Sequence, residues 1–261
     1  MLSAIPSSIP VCITGASSGF GEEFARQFAE RGHDVTLVAR RVDRLKRLAK
    51  EVRKDFGVTA TPLEADLQTT EGRGAVASVL REGGPWLLIN NAGFGTHGRF
   101  AELDAQREVD ETTLNVVAVT ELAAAVLPGC VEVGEGGLIN VASTAAFQPL
   151  PYMATYAATK AFVLHFTEAL AVELRGTGVR IQALCPGPAK TEFGDVAGNA
   201  REIDRLRPMT ADRVVAASLK AFDKNRTICV PGTLNAVGAN TVRLAPRTVV
   251  RRVAGPIFKP R

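Results

Sequence analysis

Tyr156 and Lys160 stand four residues apart, and on a helix that spacing puts both side chains on one face. A free phenol has a pKa of about 10, too high to pass a proton in both directions at neutral pH. A cation within about 4–6 Å favours the phenolate and moves such values by roughly 1–3 units. The pair therefore reads as a tuned acid/base, with the ammonium expected to lower the phenol. Ser143 follows the apolar run Leu138–Ala142, where its hydroxyl is able to hydrogen-bond an oxygen as charge develops on it. Asn115 sits inside an apolar helical stretch, where satisfying a buried carbonyl is an equally sufficient reason for an amide.

A second constellation lies near the N-terminus. A short apolar run leads straight into Thr14-Gly15-Ala16-Ser17-Ser18-Gly19-Phe20-Gly21, and a helical pattern begins at once. Glycines let backbone N–H groups approach a pyrophosphate, and the incoming helix end carries about half a positive charge. The spacing is GxxxGxG, without the lysine of a P-loop. Locally, a tight turn without a ligand would read the same. The next apolar run ends in Val38-Ala39-Arg40-Arg41. An acidic residue at that point would suit the ribose of NAD, whereas arginine accommodates the 2′-phosphate of NADP. Arg40 is the first candidate for that contact, with Arg41 and Ser17 as helpers; both arginines also fit the basic, solvated start of a helix.

The elements that must hold these residues can be read from periodicity. Short apolar runs at Val11–Thr14, Val35–Ala39, Val58–Leu63, Leu87–Asn90, Leu138–Ala142, Val179–Cys185 and Thr227–Val230 have the look of strands covered on both faces. Helical spacing fills the intervals, as in Leu45, Leu48, Val52 and Phe56. Alternation of this kind predicts an α/β fold: one Rossmann-type doubly wound domain, a parallel sheet of about seven strands with helices on both faces. Two long helices are expected at Ala105–Val126 and Tyr152–Arg175. Residues 1–240 are assigned to this domain, with a polar excursion at 190–208 as a lid. Residues 241–261 are set apart as a basic tail.

With 261 residues, 46% of them hydrophobic and 22% charged, the chain sits inside the globular range. The four cysteines show no CxxC and the three histidines are scattered, so no metal is expected. Net charge is +4, but residues up to Asp223 balance to −4 and those from Lys224 onward to +8. Arg243, Arg247 and Arg251 recur every four residues in the tail, a pattern compatible with a membrane surface, an acidic carrier or plain solvation. Nothing suggests nucleic acid. The N-terminus lacks the pattern of a secretory signal, so a cytoplasmic protein is expected, with peripheral membrane contact open.

Taken together, these motifs resemble the short-chain dehydrogenase/reductase family across most of the chain. The turn fits its TGxxxGxG; Asp66-Leu67 falls where the family contacts adenine; Asn90-Asn91-Ala92-Gly93 matches its NNAG. Asn115, Ser143, Tyr156 and Lys160 follow the order and spacing of its catalytic tetrad, and Pro186, Gly187 and Thr191 match the element beside the nicotinamide. The resemblance implies an NADP(H)-dependent oxidoreductase reducing a carbonyl, or running the reverse, on a small-molecule substrate. It also implies a role for Asn115 in holding a relay water, a hold of Lys160 on the nicotinamide ribose, and a homodimer or homotetramer built through the two long helices. Cofactor contacts are expected from Gly15, Ser17, Ser18, Gly19, Phe20, Gly21, Arg40, Asp66, Leu67, Asn91, Ala92, Gly93, Tyr156, Lys160, Pro186, Gly187 and Thr191. Phe94, Phe147, Met153 and Phe193 are expected at the substrate, which their apolar character makes a lipophilic ketone or ketoacyl compound. An NADP-binding regulator that kept the fold and lost the chemistry is the alternative.

Overall fold

The computed structural model describes residues 6–82, 84–206, 208–244 and 246–259. Seven parallel strands form one sheet in the order β3-β2-β1-β4-β5-β6-β7. They are β1 (Val11–Thr14), β2 (Val35–Ala39), β3 (Ala60–Glu64), β4 (Leu87–Asn90), β5 (Gly137–Val141), β6 (Arg180–Leu184) and β7 (Ile228–Cys229). Period-2 alternation explains why nearly every residue of the inner strands is apolar. In β1, Val11 and Ile13 pack with Phe24, Phe28, Leu45 and Leu48 on one face, while Cys12 packs with Val76, Leu80, Leu122 and Val126 on the other. Cys12 thus serves as a small hydrophobe. Pro62 cannot donate to a ladder and is found in β3, the edge strand, opposite Leu37.

Helices α1 (Gly19–Glu30), α2 (Val42–Phe56) and α3 (Thr70–Glu82) return the chain between the first four strands. Beyond β4, the expected helix at Ala105–Val126 is broken. Helix α4 (Ala105–Thr112), capped by Asp104 accepting from the Gln106 N–H, passes through a π turn at Thr113–Val117 into α5 (Ala118–Val133). The widened turn surrounds Asn115, and such insertions are frequent at functional sites. Helix α6 spans Ala154–Glu173, later than expected at its start because Tyr152 adopts a left-handed φ of 67° that no helix accommodates.

Residues 190–208 hold two short helices, α7 (Phe193–Ala197) and α8 (Ala200–Arg205), ahead of α9 (Ala211–Asp223). The boundary drawn at residue 240 falls inside α10 (Thr233–Leu244), which is followed by α11 (Arg247–Phe258). Val250 is buried, and with Val242 it lines a groove beside Phe147, Leu150 and Ala157. The chain's end is therefore packed on the body through apolar contacts that charge counting did not reveal. The side chains of Arg243, Arg247 and Arg251 lie outside what the structure describes.

Candidate active site

A cleft of about 790 Å³ opens at the C-terminal ends of the strands. Strand β1 pairs with β2 on one side and β4 on the other, so the order reverses there, and ligands of open α/β sheets bind at such a switch point. Thr14 closes the base of this crevice. Its hydroxyl donates to the Ile89 carbonyl and accepts from the N–H groups of both Asn91 and Ala92, at 3.2, 2.9 and 2.9 Å. The Asn91 amide donates to the Thr14 carbonyl at 2.8 Å. Asn90 points elsewhere: it donates to the Val119 carbonyl and to Asn140, and so braces the sheet.

The glycine turn is sterically committed. A Cβ on Gly15, at φ 67°, would lie 2.8 Å from the Asn91 amide nitrogen. On Gly21 it would lie 2.3 Å from the Gly15 carbonyl oxygen. Gly15, Ser17, Ser18, Gly19 and Phe20 line the cleft; Gly21 does not, and acts by letting α1 approach the turn. Gly21, expected among the cofactor contacts, stands behind the turn rather than on the cleft surface. Asp66, Leu67, Asn91, Ala92, Gly93, Pro186, Gly187 and Thr191 all line the same cleft. A cradle with no room for side chains, opened at a helix N-terminus, fits the pyrophosphate of a dinucleotide.

Both arginines after β2 face this cleft in different settings. Arg40 is largely exposed, 3.9 Å from Asp66 and in contact with Gln68. Arg41 is gathered in: it donates to Ser17 at 3.1 Å, to Ser18 at 2.8 Å and to Glu192 at 2.7 Å. Arg44 also reaches Glu192, at 2.5 Å, and the two guanidiniums hold that carboxyl below its usual range. Arg41, expected only as a helper, is the arginine the fold joins to the glycine turn.

Ser143, Tyr156 and Lys160 converge on the other half of the cleft. The Ser143 oxygen accepts from the Ala145 N–H at 3.1 Å, which fixes it as the cap of a short 3-10 turn, and the hydroxyl stands near enough to the Tyr156 phenol to favour its phenolate. Lys160 donates to the Val141 carbonyl at 2.8 Å, with its nitrogen 5.8 Å from the centre of the Tyr156 ring. Here the expected electrostatics are overturned. Burial pushes Tyr156 up to about 12, opposed by Ser143, and pushes Lys160 down to about 8. Desolvation penalises both charged forms, and neither group counts among the influences on the other. Asn115 is fully buried and lies behind the cleft wall, its amide donating to the Phe94 carbonyl at 2.9 Å and to Thr159 at 3.1 Å. Gly93 separates it from Lys160: a Cβ there would sit 2.8 Å from the Asn115 oxygen and 3.4 Å from the lysine nitrogen.

Among the expected substrate residues, Phe94, Met153 and Phe193 line the cleft, with Phe193 tilted against Tyr156 at 5.1 Å between ring centres. Phe147 does not; it faces the separate groove beneath α10 and α11. Its place after the 3-10 turn looked equivalent in sequence, but the turn directs it to the opposite side. Periodicity also missed Arg107, Asn199, Asn235 and Phe258. Phe258 comes from the last helix, and its carbonyl is bonded to His97 Nε2 at 2.6 Å. No local motif marks a residue whose role depends on a contact 161 positions away.

Comparison with known proteins agrees with this geometry. The profile described as short chain dehydrogenase matches residues 10–202. Sulfoacetaldehyde reductase of Chromohalobacter salexigens is 38% identical over 190 residues, covering 70% of this chain and 73% of that one. Among solved structures, a short-chain dehydrogenase from Sphingobium yanoikuyae in complex with NADPH superposes with a TM-score of 0.85 at 38% identity, over 92% of this chain and 94% of that one. The bulky-bulky ketone specific alcohol dehydrogenase from Comamonas testosteroni gives 0.80 at 33% identity, over 92% and 93%.

Proposed function

Because this chain belongs to the short-chain dehydrogenase family, and so is an oxidoreductase using a nicotinamide cofactor, we propose that it reduces a bulky, largely apolar carbonyl with NADPH. The observation that carries the reading is the convergence of Ser143, Tyr156 and a buried Lys160 in one cleft with the glycine turn. A bound nicotinamide supplies the hydride. Ser143 and Tyr156 are the two hydroxyls able to hold the substrate oxygen, and Tyr156 is the one that gives up a proton to it. A phenol held at about 12 is fully protonated at neutral pH, the form a proton donor needs. Lys160 stabilises the phenolate left behind, and the wall of Phe94, Met153 and Phe193 excludes water from the exchange.

The choice of NADPH over NADH rests on Ser17, Ser18, Arg40 and Arg41, which gather two guanidiniums and two hydroxyls with no strand-end carboxylate to repel a 2′-phosphate. Residues 190–208 act as the lid, since Phe193 sits on Tyr156 while Glu192 is tied back to Arg41 and Arg44. A homodimer or homotetramer is favoured by exposed Val109, Val117, Val131 and Val133 on α4–α5 and by Phe162 and Val172 on α6. The ketone preference named for the Comamonas enzyme supports a bulky substrate, in keeping with the aromatic lining.

NADPH oxidation measured against bulky ketones, 3-ketoacyl esters and small aldehydes tests the proposal. Turnover should favour the bulky carbonyls, and Tyr156→Phe should lower it about 10²–10⁴-fold with NADPH fluorescence titrations unchanged. Retained turnover in Tyr156→Phe would remove the phenol from the reaction.

A further inference from the structure

Behind the cleft wall lies a carboxyl that the reaction as described does not use. Glu111 stands one helical turn before Asn115 and is completely shielded from solvent. One of its oxygens accepts from the Thr96 hydroxyl at 2.9 Å, while the other, Oε1, has no hydrogen-bond partner among the described residues. An isolated carboxylate in such a place is costly unless paired or protonated. We propose that Glu111 is a positioning residue that acts through Lys160, as the buried counter-charge that keeps the lysine an ammonium.

Two lines of observation meet here. Geometrically, helix α4 packs on α6: Glu108, three residues before Glu111, accepts from Thr155, and Asn115, four residues after it, donates to Thr159, so Glu111 faces α6 between these two contacts, on the side where Gly93 brings Asn115 close to the Lys160 nitrogen. The ammonium has three donors, of which one is committed to the Val141 carbonyl. Electrostatically, Glu111 is the foremost group opposing the burial that lowers Lys160, and Lys160 in turn opposes the burial that lifts Glu111 to about 7. Among the described residues, the other titratable groups acting on the pair are acids. Glu108, on the same helix, accepts from Thr155 and pushes Glu111 further up. Tyr156 feels the Glu111 charge, and Cys185 adds to the support of Lys160. Lys160 is thus the cation against which the Glu111 charge is balanced.

The consequence is a division of labour. Burial lowers Lys160, and an ionised Glu111 opposes it, so the ammonium survives further into the range where turnover needs it. Below the Glu111 midpoint both groups are protonated, and above the Lys160 midpoint both have lost their protons. The link to turnover rests on the proposed role of Lys160, whereas the pairing itself does not.

Glu111→Gln keeps the shape and the Thr96 hydrogen bond while removing the charge. In the cofactor-free protein, the ¹³Cε resonance of Lys160, assigned by its loss in Lys160→Met, should titrate about one pH unit lower in Glu111→Gln, a tenfold change. The fall in melting temperature between pH 4.5 and 7, expected because a carboxyl raised in the folded state loses its stabilising contribution as pH rises, should flatten in the same variant. The alkaline limb of kcat/KM for carbonyl reduction should move down by the same unit. Thr96→Val, which removes the bond that favours the Glu111 carboxylate, should shift Lys160 the same way by less, and serves if Glu111→Gln fails to fold. An unmoved Lys160 resonance in both variants overturns the proposal. A moved resonance supports it, and if the kcat/KM profile then stays fixed, the role given to Lys160 in turnover is what fails.

Discussion

At the dinucleotide end of the cleft, Gly15, Thr14, Asn91 and Ala92 are fixed by backbone geometry and by hydrogen bonds of 2.8 to 3.2 Å between neighbouring strand ends. At the substrate end, Met153, Phe193 and Phe258 arrive from three separate segments and meet through side-chain packing, and Phe94 lines the same cleft. The first wall tolerates almost no change of volume, because a single Cβ collides with backbone. The second is a set of apolar surfaces able to re-pack around different occupants. One fold thereby joins a rigid cofactor cradle to an adjustable substrate wall.

Substitutions can test how sharply the two ends differ. Gly21→Ala should have the largest effect: overpacking against the Gly15 carbonyl should cost about 1–3 kcal/mol of stability and distort the turn, seen as a lower melting temperature and weakened NADPH binding. Arg40→Asp, which sets a carboxylate beside the proposed 2′-phosphate site, should shift the NADPH/NADH preference about 10–100-fold toward NADH, since hydrogen bonds to charged groups are worth about 1.5–3 kcal/mol. An unchanged ratio would transfer the contact to Arg41. Phe258→Ala should raise KM for bulky ketones roughly tenfold while leaving NADPH affinity untouched, consistent with the loss of about 1.5 kcal/mol of apolar contact. If NADPH affinity fell as well, the two ends would be coupled through the last helix. Glu192→Gln should do least, because its partners Arg41 and Arg44 are more than a third exposed and such pairs contribute about 0–1 kcal/mol. Its expected signature is a stronger salt dependence of NADPH binding, since Arg41 and Arg44 then meet the phosphates without a neutralising carboxylate.

The same contrast explains what could be read in advance. Strands β1, β2 and β4 have their expected boundaries because four or five consecutive apolar residues between turns admit little else once both faces are covered. The residues of the glycine turn and of the Tyr-x-x-x-Lys pair could be picked out because each needs fixed residue types at fixed local spacing. What periodicity could not supply was charge state and long-range contact. The phenol and ammonium were legible as a pair, but their pKa values depend on burial, which comes from the whole fold. The π turn at Asn115, the direction of Phe147 and the return of Phe258 depend on packing between distant segments. Glu111 was passed over for the same reason: an acid in an amphipathic helix looks solvated until the helix is docked.

The Thr14 hydroxyl engages three backbone groups of the fourth strand's exit and so rivets the floor of the cleft. Strands one and four cannot spread apart to admit a guest without breaking all three bonds together. Entry and exit would then fall to the proposed lid, where Glu192 rests on ion pairs with Arg41 and Arg44 that salt and solvent loosen readily.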